Sequence, residues 1–375
     1  MKIALIGTRG VPANYGGYET CVEELGKRLV ERGHDVTVYC RASYYTERPE
    51  TYFGIKLVYL PNIKKKSLDT LSHTFLSIIH SVTHNIDILM VFNVANTLTF
   101  FLPRLLGKKI AVNTDGFEWK RGKWGKMGKL YYKFSEWLST KLANRIVADA
   151  LAMQDYYLQK FGVESSYIAY GAYNSKSTKP DLISALGVMP GEYFLQITLF
   201  RPENNVHLTI EAFKKLNTNK KLLIIGGGPY QSDYSRKIET AAGENIILPG
   251  TIYDKEMINE LWCNCYAYIH GNGVGGTNPA LLQSMASGSF TIAVNVEFSH
   301  EVLDDGGIYY DKNAESLSNK MNWALENPSL LSEFTVKAQR RIEERYTWDI
   351  ITDGYEKLFN ELQANKYPWR PFNKK

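Results

Sequence analysis

Two glycine-rich loops have the residue types and spacing to hold an anion. The first, residues 7–20, reads Gly-Thr-Arg-Gly-Val-Pro-Ala-Asn-Tyr-Gly-Gly-Tyr-Glu-Thr and sets Gly16 and Gly17 where a hydrophobic strand pattern gives way to a helical one. Glycine lets the backbone approach a phosphate closely, and a helix start offers unpaired N–H groups at the positive end of the peptide dipoles. The second loop, residues 271–279, reads Gly-Asn-Gly-Val-Gly-Gly-Thr-Asn-Pro, with Gly275, Gly276, Thr277 and Asn278 before a helix that Pro279 opens. One such loop in each half of the chain suits a ligand that carries a diphosphate. Glycines that serve only a tight turn are the alternative, and for Gly226-Gly227-Gly228-Pro229 that is the stronger reading. The first loop matches neither G-x-G-x-x-G nor G-x-x-x-x-G-K-[ST], which disfavours NAD and ATP.

A third cluster, Asp115, Glu118, Trp119, Arg121 and Trp124, follows an expected strand over 109–114. That is the strand end where parallel sheets keep their polar groups. Carboxylates there can accept hydrogen bonds from sugar hydroxyls while an indole covers the sugar's apolar face; a solvated charged loop is the other reading. Between 120 and 133 come six cations, Lys120, Arg121, Lys123, Lys126, Lys129 and Lys133, interleaved with Trp124, Tyr131 and Tyr132, and Lys64 to Lys66 follow Ile63. This pattern suits an anionic membrane surface or a phosphorylated carrier, and equally a plain solvated helix face. The formal net charge of +5 is mild and no nucleic-acid motif accompanies it, so nucleic acid is not expected as a partner. No metal is expected either: the Cys263-x-Cys265 pair lacks a second pair at ligand spacing, and no Asp-x-Asp stands in a suitable loop.

These loops need a rigid frame, and the chain offers one. Apolar strand patterns over 2–7, 36–40, 55–60, 86–92, 109–114, 145–148 and 166–170 alternate with helical patterns over 19–32, 68–80 and 126–142. After a polar stretch over 175–180 the alternation restarts, with strands over 193–200, 221–225, 246–248, 267–270 and 290–293. Helices are expected over 206–216, 231–241, 255–263 and 279–286, and again over 316–325, 329–345 and 348–364. Strands alternating with helices predict parallel sheets covered on both faces, in two α/β halves. With 375 residues, 44% hydrophobic and 22% charged, the chain is long and apolar enough for more than one core, which excludes disorder. Its four cysteines lie in helix- or strand-like runs and no apolar stretch reaches about 18 residues, so a reducing cytoplasm and no membrane span are expected.

Taken together, the chain resembles a retaining GT-B glycosyltransferase of family 4, in its bacterial rhamnosyltransferase-like subgroup. The resemblance rests on Gly10-x-Pro12-x-x-Tyr15-Gly16-Gly17-x-Glu19, Asp115-Gly116-x-Glu118-Trp119, Pro202-Glu203-Asn204-Asn205 and His270-Gly271-x-x-Val274-Gly275-Gly276-Thr277-Asn278-Pro279, and it covers nearly the whole chain. It implies two Rossmann-like domains whose parallel sheets face across a cleft: an acceptor-binding domain over 1–174, a nucleotide-sugar domain over 175–347, and a helix and tail over 348–375 crossing back to the first. It implies a hexosyltransferase of polysaccharide synthesis, working in the cytoplasm or on the inner face of the cytoplasmic membrane. The donor would be a dTDP-, UDP- or GDP-linked rhamnose or other hexose, the acceptor a glycan or lipid-linked glycan, and no further cofactor is needed.

The resemblance also distributes roles. Asp115 and Arg201 become catalytic. Gly16, Gly17, Arg201, Asn204, Gly250, Tyr253, Gly275, Gly276, Thr277, Asn278 and Gln283 bind the donor, and Tyr15, Asp115, Glu118, Trp119, Arg121 and Trp124 the acceptor. The chain departs from the family at Leu199 and Asn204, where an Arg and a Lys hold the diphosphate, and at Gly275 and Gln283, where two glutamates stand. A weakened nucleotide-binding or scaffolding protein is therefore the alternative expectation.

Overall fold

The computed structural model describes residues 1–13, 16–65, 68–114, 116–122, 124–227 and 232–368. The chain divides into two compact units, Met1–Tyr170 with Trp348–Lys375 and Gly171–Thr347.

Unit 1 runs β1 (Lys2–Ile6), α1 (Gly17–Glu31), β2 (Asp35–Arg41), β3 (Thr51–Tyr52), β4 (Ile55–Leu60), α2 (Asp69–Thr83), β5 (Ile88–Phe92), α3 (Phe101–Leu105), β6 (Lys109–Asn113), α4 (Lys126–Leu142), β7 (Arg145–Ala148), α5 (Leu151–Phe161) and β8 (Ser166–Tyr167). Among the described residues its sheet has the order β3-β4-β2-β1-β5-β6-β7-β8. The pairings are parallel except for β3, which runs antiparallel to β4. Helices cover both faces, so the central strands read as unbroken apolar runs, and every residue of β5 is buried. The register Ile6 to Val91 and Phe92 to Asn113 brings the strand ends, and the loops that follow them, to one edge. Gly7, at φ +101°, is required there, because a Cβ would lie 2.3 Å from the Phe92 carbonyl oxygen.

Unit 2 runs β9 (Tyr193–Ile197), α6 (Val206–Phe213), β10 (Lys221–Ile225), α7 (Asp233–Ala241), β11 (Ile246–Gly250), α8 (Lys255–Asn264), β12 (Ala267–His270), α9 (Pro279–Ala286), β13 (Thr291–Val294), α10 (Glu297–Leu303), β14 (Gly307–Tyr310), α11 (Ala314–Glu326) and α12 (Leu331–Arg345). Its strands are parallel in the order β11-β10-β9-β12-β13-β14. Alternation along the strands divides the core: Phe194, Leu222, Ile224 and Ile269 pack to one side with Ile210 and Leu317, while Leu195, Leu223 and Tyr268 pack to the other with Leu261.

The last helix, α13 (Trp348–Gln363), packs on α1 in unit 1. Tyr355, Phe359 and Leu362 are buried, and Arg28 of α1 and Arg32, the residue just after that helix, pair with Asp349 at 3.1 Å and Glu356 at 2.9 Å. The polar stretch after Asn174 is tethered rather than loose. The Glu260 carboxylate, fully buried on α8, accepts from the N–H groups of Thr178 at 2.7 Å and Lys179 at 2.9 Å and from the Ser177 hydroxyl at 2.6 Å.

Several expected bounds shift. The strand expected over 193–200 stops at Ile197, where Gly226 crowds against the Thr198 carbonyl oxygen. The one expected over 166–170 shrinks to Ser166–Tyr167. The periodicity did not reveal β3, β14, α3 or α10, which span at most seven residues and are too short to develop a clear pattern, nor α5, which is eleven residues long but only weakly amphipathic, with Ala152, Met153 and Tyr157 alone buried. Among the described residues no helix is long and apolar enough to cross a membrane.

Candidate functional site

In unit 2 the two motif loops lie against each other at the ends of β9 and β12. Arg201 precedes a 3₁₀ turn, Pro202–Asn204, and that turn is locked to the glycine loop by main-chain contact. Gly273 N–H donates to the Glu203 carbonyl at 2.9 Å, and the Asn205 amide donates to the Gly271 carbonyl at 2.7 Å. Gly271 has to be glycine: a Cβ would sit 2.4 Å from the Asn204 carbonyl oxygen. The Thr198 hydroxyl adds a 3.0 Å bond to Asn272. Asn278 caps α9 through its side-chain oxygen, which accepts from the Ala280 N–H at 2.9 Å, and Gly275 takes φ +152° with open space around it.

This loop borders a recess lined by His270, Asn272, Gly275, Gly276, Asn278 and Ser299. Two of the lining groups are buried without a hydrogen-bond partner among the described residues, His270 Nδ1 and Ser299 Oγ. Unsatisfied buried polar atoms are costly, so each of these two groups calls for a partner that the described residues do not supply. Burial pushes the His270 imidazole down to about 3, so it is neutral near pH 7. The Arg201 guanidinium makes no ion pair or side-chain hydrogen bond among the described residues, which leaves a cation available beside the loop.

Other donor-side expectations acquire internal duties. The Asn204 amide donates to the Leu199 carbonyl at 2.8 Å and is buried, so it braces the turn. The Gln283 nitrogen faces the Tyr173 carbonyl at 3.2 Å and the Ser175 hydroxyl at 2.8 Å, so only its oxygen is left for a ligand. Gly250, at φ +83°, ends β11 and its carbonyl accepts from Gly226 N–H at 2.9 Å, while Tyr253 is exposed.

In unit 1 the first glycine loop is closed by acids of its own helix. Glu19 accepts from Arg9 N–H at 3.0 Å and Glu23 from Ala13 N–H at 2.6 Å, and both carboxylates are buried. Burial raises the Glu19 pKa against the lowering effect of its hydrogen bonds. Gly16 stands at the start of α1, where an added Cβ would meet the Glu19 carboxylate at 3.2 Å, and Gly17 is the first helical residue. An anion arriving there would face this carboxylate, so the helix start differs electrostatically from the open one expected from glycine spacing alone.

Three residues of the expected acceptor cluster, Glu118, Arg121 and Trp124, do come together. Glu118, 3% exposed, accepts from the Trp124 indole at 3.3 Å and pairs with Arg121 at 3.3 Å. The Trp119 ring lies under Lys133, whose ammonium is 4.6 Å from its centre, and edge-on to Phe117. Tyr15 and Asp115 lie outside the described residues. Among the described residues no group of three or more His, Cys, Asp or Glu could hold a metal ion. Burial pushes the Cys263 and Cys265 thiols up to about 11 and 12, so both stay protonated near neutrality. The sequence named His270 only as the first residue of a motif, without a role, and Ser299 not at all: a strand-end histidine and a helix-start serine look the same whether they serve a site or a core.

Comparison with known proteins adds to this geometry. Residues 1–173 match the family model described as domain of unknown function DUF1972, and residues 185–341 match glycosyl transferases group 1. Two curated relatives are the O-antigen chain mannosyltransferase C of Escherichia coli and the O-antigen chain mannosyltransferase RfbU of Salmonella typhimurium. The first is 22% identical over 46% of this chain and 48% of its own, the second 24% identical over 50% and 52%. The chain thus spans about half the length of the curated relatives it matches. Among solved structures, sucrose-phosphate synthase of Thermosynechococcus elongatus superposes with a TM-score of 0.83 at 16% identity, over 97% of this chain and 99% of that one. Anabaena HepE in complex with UDP-glucose gives 0.78 at 15% identity, over 96% and 100%. The fold is therefore the GT-B fold, and the second unit is similar to the group 1 glycosyltransferases.

Proposed function

We propose that the protein is a retaining hexosyltransferase that moves rhamnose or another hexose from a nucleoside diphosphate sugar to a glycan or lipid-linked glycan, on the cytoplasmic side, in the assembly of a cell-surface polysaccharide. The observation that carries this reading is the recess of unit 2, where the buried and unpartnered His270 Nδ1 and Ser299 Oγ share a wall with the Gly275-Gly276 loop. Support comes from the group 1 match over that segment, from HepE having been solved with UDP-glucose on the same fold, and from mannosyltransferases among the curated relatives.

In this reading the diphosphate is taken by Arg201 with the N–H groups of Gly275, Gly276, Thr277 and Asn278. Sugar transfer builds negative charge on the leaving diphosphate, and donors already fixed around it lower the barrier. The Gln283 oxygen accepts from a ribose hydroxyl. Glu118, Trp119, Arg121 and Trp124, with Tyr15 and Asp115, receive the acceptor, the carboxylates taking hydroxyls and the indoles the apolar sugar face. Attack on the face the phosphate leaves preserves the anomeric configuration, and the leaving phosphate accepts the acceptor's proton.

The test is calorimetric titration with dTDP, UDP and GDP, followed by the matching nucleotide sugars with nucleotide release monitored. Binding of one nucleotide, with release that acceptor accelerates, is expected. Arg201→Ala should slow release about a hundredfold, the size seen when one fixed donor to a developing oxyanion is removed. Binding without release, even with lipid-linked acceptor, would make the protein a scaffold, and absence of binding would remove the diphosphate site.

A further inference from the structure

Unit 1 carries an apolar ridge that glycosyl transfer does not use. On α4, Met127, Leu130, Phe134 and Trp137 recur at intervals of three and four and are 78%, 61%, 44% and 42% exposed. That spacing lines up one stripe on the solvent side, while Tyr132, Ser135, Glu136 and Leu138 take the buried side. Beside it stands α3, where Phe101 is 47% and Leu105 84% exposed. The two helices are joined: Arg104 of α3 donates to the Lys141 carbonyl at the end of α4, and Tyr131 of α4 donates to the Ala95 carbonyl at 2.6 Å in the turn leading to α3. Six large apolar side chains exposed on two joined helices are the kind of grouping that marks an interaction surface.

The charge around the ridge is one-sided. Lys126, Lys129 and Lys133 are exposed and border the α4 stripe, whereas the one carboxylate of that helix, Glu136, is buried. Residues 101–142 hold ten cationic side chains and three carboxylates, so this stretch alone exceeds the +5 of the whole chain. Apolar side chains at the crest with lysines along the flank fit an interface in which hydrocarbon lies beneath anionic headgroups. A protein partner would have to match the same apolar crest with an acidic rim, a more specific demand than an anionic bilayer makes.

We infer that the α3–α4 ridge docks unit 1 onto an anionic lipid surface, with Phe101, Leu105, Met127, Leu130, Phe134 and Trp137 entering the acyl boundary and Lys126, Lys129 and Lys133 contacting headgroup phosphates. Docking on this face does not depend on which sugar is transferred, or on transfer at all. The experiment is co-sedimentation of the full-length protein with vesicles of phosphatidylcholine alone and of phosphatidylcholine with phosphatidylglycerol, each at low and high salt. Binding to the anionic vesicles is expected, at least tenfold weaker on the neutral ones. Raised salt should reduce it without abolishing it, because burial of the crest is not screened. Leu105→Glu and Leu130→Glu, both at well-exposed positions, should each weaken binding about tenfold while circular dichroism and nucleotide binding stay unchanged.

Absence of binding to anionic vesicles, or binding by both glutamate variants as tight as that of the wild type, would overturn the inference. Sedimentation velocity on the same proteins gives the competing outcome: a stable dimer that either variant converts to monomer would assign the ridge to a second copy of the chain.

Discussion

Glu260→Ala cuts the tether that holds the segment entering unit 2. The wild-type carboxylate accepts from Thr178 N–H, Lys179 N–H, the Ser177 hydroxyl and, at 3.0 Å, the Asn264 amide. Hydrogen bonds to a charged group contribute about 1.5–3 kcal/mol each. Residues 177–179 are exposed, so water takes over part of their demand once the carboxylate is gone, and the expected loss is about 3 kcal/mol in all. For a unit of this size that lowers Tm by roughly 6–12 °C. Glu260→Gln keeps one accepting oxygen and should lose only about 1 kcal/mol. The pH dependence separates the two variants further. Burial raises the Glu260 pKa, but hydrogen bonds from Ser177, Thr178, Lys179 and Asn264 outweigh it and hold the group below the ordinary carboxylate value. Its contribution is therefore complete above that ordinary value and disappears as pH falls through the lower, folded one. Scanning calorimetry of the three proteins at pH 7, and again on the acid side, reads both effects. An alanine variant melting within about 2 °C of wild type would refute the assignment of the tether to Glu260.

Gly271→Ala should force the glycine loop off the Pro202–Asn204 turn, because its Cβ would lie 2.4 Å from a carbonyl oxygen; a loss of about 1–3 kcal/mol is expected, with nucleotide binding abolished. Gly273→Ala, whose nearest contact would be 3.4 Å, is the control for stability in the same melts. Acid sensitivity should begin well above the carboxylate range. Burial, aided by the Arg41 cation, pushes His73 in unit 1 down to about 4, and burial pushes His270 in unit 2 down to about 3. Each contributes stability that is full above about pH 6.5 and declines below it, by about 2 kcal/mol at pH 5. Urea titrations of His73→Leu and His270→Leu at pH 7 and pH 5 check this, and a pH effect equal to that of wild type in either variant counts against it.

The frame was readable because its strands are buried on both faces: Ile-Leu-Met-Val-Phe over 88–92 allows no other reading in an alternating chain. Elements such as β14 hid behind the turn-like Asp304-Asp305-Gly306-Gly307, where a four-residue strand is too short to outweigh its flank. The return of α13 to unit 1 came from resemblance and not from pattern, since the Arg28–Asp349 pair joins residues 321 apart. At the site, the loops were legible and their occupancy was not. Glycine spacing announces an anion, but nothing in it says that Glu19 and Glu23 already accept from Arg9 and Ala13 N–H. In the same way, Gln283 reads as a ribose ligand until the fold brings Tyr173 and Ser175 against its nitrogen.

That α13 completes unit 1 has a consequence for how the protein is made. Translation finishes residue 170 long before residue 348, and at about 5–20 residues per second the gap is roughly 10–35 seconds. During that time the face of α1 that receives Tyr355, Phe359 and Leu362 has no cover, whereas unit 2, contiguous in sequence, can close as soon as it is synthesised. The later unit is thus the first able to reach its native state. A released chain ending at residue 347 should therefore show a protease-resistant unit 2 and a unit 1 that is still cleaved.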